Sequence, residues 1–167
     1  MNVTPNIPAP LDPGFQPAVL WNRAYVAAAK ATGTAVPLVI GLERERGLVS
    51  RFETIVKSTA DADTMRYVER IVKFLLWAHG GWKIYVGGPK PIGEQIRKQY
   101  SPRGARKFDG KMMELSYGNP LEVVLTTPGK VPKSKEMQIS AGGHLKGCRI
   151  GFDLGASDYK VSAVLDG

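Results

Sequence analysis

Six residues near the end of the chain combine types that hold phosphate: Asp153, Gly155, Ala156, Ser157, Asp158 and Lys160. A carboxylate can hold a metal ion through water, and a lysine adds positive charge. Small residues between them let backbone amides approach an anion closely. The flanks alternate, with Ile150, Phe152 and Leu154 on the way in and Tyr159, Val161, Ala163 and Leu165 on the way out. That pattern reads as strand, turn, strand. An ordinary hairpin, in which Asp, Gly and Ser serve only the turn, is the alternative.

The spacing Asp-x-Gly-x-Ser-x-x-Lys over 153–160 resembles the first phosphate-binding hairpin of the actin-like ATPase superfamily, which includes sugar kinases, actin and the heat-shock ATPases. Within it, Ile150-Gly151-Phe152-Asp153-Leu154-Gly155 is most similar to ROK-type sugar kinases. The resemblance implies that Asp153 holds Mg2+ through water, that Gly155, Ala156 and Ser157 wrap the terminal phosphates with backbone amides, that Asp158 belongs to the same nucleotide phosphate site, and that Lys160 sits near the phosphate charge. ROK kinases usually read Gly-Gly-Thr where this chain has Gly155-Ala156-Ser157. A hydroxyl is kept and a glycine lost, which fits the wider superfamily better. The implied ligands are ATP, Mg2+ and a small sugar, in a carbohydrate kinase. Because the hairpin opens the ATPase fold in that superfamily, the resemblance also implies an N-terminal part of a longer parent, inactive alone. No residue here is expected to be the catalytic base.

The elements ahead of the hairpin are expected to form an α+β domain with a mixed sheet and flanking helices. Residues 1–17 carry five prolines and read as an extended, poorly packed leader. Ala18 to Ala31 suits a helix closed by Gly33, and 36–57 reads as a hairpin turning at Glu45-Arg46-Gly47. A helix follows Ser58–Asp63, with Met65, Val68, Val72, Leu75 and Leu76 at 3- and 4-residue spacing and a Glu69–Lys73 pair. Trp82 to Val86 is a strand, Gly87-Gly88-Pro89 a turn, and Ile92 to Tyr100 a short helix. The order over 36–100 resembles half of an RNase-H-like subdomain, and Ile84 to Gly88 the strand-Gly-Gly element that contacts adenosine in sugar kinases. A plain α+β domain remains the alternative. Turns are expected to dominate 101–120, with a short strand at 111–117, before a strand at 121–126. The expected divisions are 1–17, 18–127, a linker over 128–147 with a strand near 137–140, and 148–167.

The chain has 167 residues, 43% of them hydrophobic, a globular composition without an apolar run long enough to span a membrane. Cys148 is the sole cysteine, so no intrachain disulfide can form, and a reducing cytoplasm is expected. It is expected to be a packed thiol.

The net charge is +8. Lys90, Arg97, Lys98, Arg103, Arg106, Lys107 and Lys111 face only Glu94 and Asp109 in sequence over 90–111. That segment suggests a second reading, a ROK-like regulator or basic module that binds nucleic acid while the hairpin is structural. Helix-turn-helix spacing is missing from the strand-rich 36–57 region, and one cysteine rules out a zinc finger. His79 and His144 lack metal-ligand spacing, and Trp21, Trp77 and Trp82 read as core or rim.

Overall fold

The computed structural model describes residues 1–137 and 146–166. The chain falls into two compact units, Met1–Glu136 and Met137–Gly167.

The first unit is built on strands β1 (Val36–Glu43), β2 (Val49–Val56), β3 (Lys83–Gly87) and β4 (Glu122–Thr126), ordered β2-β1-β3-β4. β1 runs antiparallel to both β2 and β3, and β4 lies parallel to β3. The sheet is therefore mixed, and the class is α+β. Helices α1 (Ala18–Ala31), α2 (Ala62–His79), α3 (Lys90–Gln99) and α4 (Lys107–Tyr117) surround it.

Alternation along the strands sets the layers. Leu38, Ile40 and Leu42 of β1 join Ile84 and Val86 of β3 in one core with residues from all four helices. α1 supplies Trp21, Tyr25 and Ala29, and α2 supplies Val68, Val72, Leu75 and Leu76, the latter as its spacing predicts. The α2 N-terminus is fixed by Asp61, whose carboxylate accepts from the Thr64 amide at 2.9 Å. Gly80, at φ 72°, ends the helix. Tyr25 stacks on both Trp21 and Tyr67, and its hydroxyl donates to Thr64 Oγ1 at 2.8 Å.

Several sequence expectations change in the first unit. The start of the leader is anchored, the Met1 carbonyl accepting from Trp21 Nε1 at 3.2 Å and the Met1 amine pairing with Asp63 at 3.3 Å, while Ile7, Leu11 and Phe15 stay exposed as expected of a poorly packed segment. Residues 107–117 form α4 rather than turns and a strand. Gly110, Met113 and Tyr117 recur at 3- and 4-residue spacing on its inner side, so Asp109-Gly110 lies in a helical turn instead of a loop. Residues 128–136 are not a linker. Val131 is 3% exposed, and Lys135 and Val49 exchange backbone hydrogen bonds at 2.9 and 3.0 Å. The first unit accordingly ends at Glu136. Glu69 pairs with Arg106 rather than with Lys73. The strand expected near 137–140 lies outside the described residues, except for Met137, which is not in a strand; His144 lies outside them too.

The second unit is a hairpin of β5 (Arg149–Leu154) and β6 (Tyr159–Val164). Cys148 and every residue of both strands except half-buried Arg149 are exposed. This corrects the packed thiol expected at 148.

Candidate phosphate-binding hairpin and basic segment

The β5–β6 ladder places Asp153 opposite Lys160 and Leu154 opposite Tyr159, leaving Gly155-Ala156-Ser157-Asp158 as the connecting turn. The Gly155 amide donates to the Asp158 carbonyl at 2.8 Å. A Cβ on Gly155 would stand 2.7 Å from Asp158 Oδ1 and 3.0 Å from its carbonyl oxygen, so a larger residue there would push the exposed Asp158 side chain aside and crowd the turn backbone. The Gly155 amide is thus engaged, and Ala156, Ser157 and Asp158 carry amides without a backbone partner among the described residues.

Asp153 and Lys160 lie on the polar side of the ladder, with Oδ2 and Nζ 3.7 Å apart. Ile150, Phe152 and Leu154 face across to Ala163, Val161 and Tyr159 on the other side. The structure therefore brings the six sequence-derived residues together at one end of the hairpin. Among the described residues no group of three His, Cys, Asp or Glu could hold a metal. Asp153 suits only the mode in which Mg2+ keeps several waters and takes its remaining ligands from phosphate.

The glycine pair at the end of β3 is accounted for by packing. Atoms of Val131 fill the space beside Gly87, with the Thr127 carbonyl oxygen 2.9 Å from where a Cβ would stand. Leu38 Cδ1 lies 2.7 Å from the corresponding position at Gly88.

Much of the basic segment is committed internally. Lys90 pairs with Glu94 at 3.6 Å and Lys111 with Glu114 at 3.1 Å. Arg97 donates twice to the Val123 carbonyl, at 3.0 and 3.2 Å. Arg106 joins Glu69 of α2 to Asp109 of α4, and the Glu69 hydrogen bond outweighs partial burial to hold its guanidinium more firmly protonated than usual. Asp109, only 4% exposed, also accepts from Trp77 Nε1 at 2.7 Å. The side chains of Lys98, Arg103 and Lys107 are left without a hydrogen bond or ion pair among the described residues.

Sequence reasoning missed this Trp77–Asp109–Arg106–Glu69 junction, and the exposed Phe74, Trp77 and Phe108 beside it. Two aromatics three residues apart on the outward side of an amphipathic helix were the available signal. No helix among the described residues is long and apolar enough to cross a membrane. Comparison of the chain with protein families, with curated proteins and with solved structures gives no match.

Proposed function

We propose that the β5–β6 hairpin is the first phosphate-binding element of an ATP-dependent phosphotransferase resembling the sugar kinases, active in its complete parent. The observation that carries this reading is the exposed turn 155–158, in which the Ala156, Ser157 and Asp158 amides have no backbone partner among the described residues, with Asp153 at its base. In this reading the Ala156 and Ser157 amides and the Ser157 hydroxyl donate to terminal phosphate oxygens. Lys160 orients the Asp153 carboxylate and adds positive charge beside the phosphates. Asp153 would hold Mg2+ through water, and the ion, when bound, neutralises charge on the transferring phosphoryl group. A base for the sugar hydroxyl is assigned to another part of the parent. The finer fold assignment, an actin-like ATPase domain begun by this hairpin, belongs to the same proposal.

The regulator reading draws less support, because Lys90, Arg97, Arg106 and Lys111 already serve carboxylates or a carbonyl of the chain. The test is Mg-ATP turnover by the complete parent over a panel of sugars. Asp153→Ala and Ser157→Ala should each abolish it, and undiminished turnover in either variant would remove that residue from the site.

A further inference from the structure

A surface groove of about 640 Å3 runs between α1 and α2, independent of the hairpin reading. Its walls are mostly aliphatic, with Val19, Val26 and Ala27 from α1 and Ile71, Phe74 and Leu75 from α2. Phe74 leads into a second hollow, of about 490 Å3, bounded by Arg70, Lys73, Trp77 and Ala78. Trp77 continues the apolar strip to Phe108, whose ring stacks on it at 6.4 Å. Val19, Phe74, Trp77 and Phe108 are all exposed.

Every charged side chain lining the two hollows is basic: Arg23, Lys30, Arg70 and Lys73. Arg23, Lys30 and Lys73 have no ion-pair partner among the described residues. Arg70 rests over the Trp21 ring at 5.2 Å and donates to Asn22 at 3.4 Å. An apolar strip with unpaired cations along its margins is complementary to a ligand that is apolar on one side and acidic on the other.

We propose that this groove docks an acidic amphipathic helix of a protein partner, with apolar side chains at i, i+3, i+4 and i+7 in the strip and carboxylates toward Arg23, Lys30 and Lys73. A second copy of the chain is disfavoured by its own charge of +8. A single-stranded nucleic acid would want exposed stacking surfaces along its path, whereas the α1 wall is aliphatic and, of the aromatics lining the main groove, Tyr67 is buried and Phe52 half-buried, leaving only Phe74 exposed.

The test uses two fluorescein-labelled peptides of roughly 16 residues, about the length of α1. Both carry Leu at the same i, i+3, i+4 and i+7 positions, with Glu elsewhere in one and Lys elsewhere in the other. Fluorescence anisotropy should show the acidic peptide binding at least about tenfold more tightly, with affinity falling as salt rises. Phe74→Asp and, separately, Lys30→Glu with Lys73→Glu should each weaken it by about tenfold or more. Phe74 and Lys30 are exposed and Lys73 half-buried, and unchanged circular dichroism of the variants confirms the fold. The proposal is overturned if neither peptide binds, if both bind equally, or if Phe74→Asp has no effect. Displacement by oligo-dT would assign the groove to nucleic acid, and Phe74-dependent dimerisation in sedimentation equilibrium would assign it to a second copy; either contradicts the proposal.

Discussion

Asp153 and Lys160 face one another across the β5–β6 ladder, carboxylate to ammonium at 3.7 Å, beside a turn of four small or polar residues. Both side chains are about three-quarters exposed, so their pairing contributes little to stability, on the order of 0–1 kcal/mol. A ligand can therefore draw either group away at low cost. In the complete parent, Lys160→Ala should raise the KM for Mg-ATP several-fold while the melting temperature stays within about 1–2 °C. Steady-state kinetics and calorimetry check both halves, and an unchanged KM would separate Lys160 from the phosphates.

Trp77 and Asp109 fix α2 against α4. Trp77→Phe keeps the ring and removes the donor, leaving the buried Asp109 oxygen with one partner fewer. Urea unfolding should show a loss of about 1–3 kcal/mol. Loss of a few tenths only would mean that Arg106 alone satisfies Asp109.

The unpaired cations Lys98 and Arg103 give a clean test of nucleic-acid binding by the basic segment. Their alanine variants should change stability by no more than about 0.5 kcal/mol. Neutralising Arg106 should instead destabilise, because Glu69 and Asp109 lose their shared partner. If the segment binds nucleic acid, a gel-shift titration of Lys98→Ala with Arg103→Ala will show weaker, less salt-dependent affinity; the kinase reading predicts no such binding.

Gly87 lies under the segment that follows β4. Gly87→Ala would press a methyl group into Val131 and the Thr127 backbone, costing about 1–3 kcal/mol by thermal or urea unfolding. A neutral substitution would show that residues 128–136 lift away readily.

Asp61 caps α2, and its carboxyl titrates below its ordinary value of 3.8: partial burial, which raises it, is outweighed by the Thr64 hydrogen bonds, Lys57 and Thr59. A lowered acid pKa stabilises the fold above the unfolded value and loses that contribution as pH falls through the folded one. Asp61→Ala should therefore cost about 1 kcal/mol near neutral pH and progressively less below about pH 4. Denaturant titrations at both pH values check the convergence.

The elements with an uninterrupted period were legible in the sequence. α1, the β1–β2 hairpin, α2 and the β5–β6 hairpin all lie where 3.6- or 2-residue alternation puts them. α4 was hidden because Asp109-Gly110 carries a turn signature, and only Trp77, distant in sequence, shows why an aspartate is buried there. Residues 128–136 read as a linker because their Pro, Lys and Ser content is that of a loop. Their order comes from Val131 under the sheet and Lys135 against Val49, which local composition does not encode. The candidate site was legible as residue types, but the engagement of the Gly155 amide by Asp158 became evident only from the turn geometry.

The most direct measurement is isothermal titration of Mg-ATP into the complete parent protein, alongside its Asp153→Ala and Ser157→Ala variants. The account predicts saturable, Mg2+-dependent binding that both variants lose while retaining the wild-type circular dichroism spectrum. Absence of nucleotide binding by the parent, or undiminished binding by folded variants, would contradict the phosphate-binding assignment and leave the 153–160 segment as an ordinary hairpin.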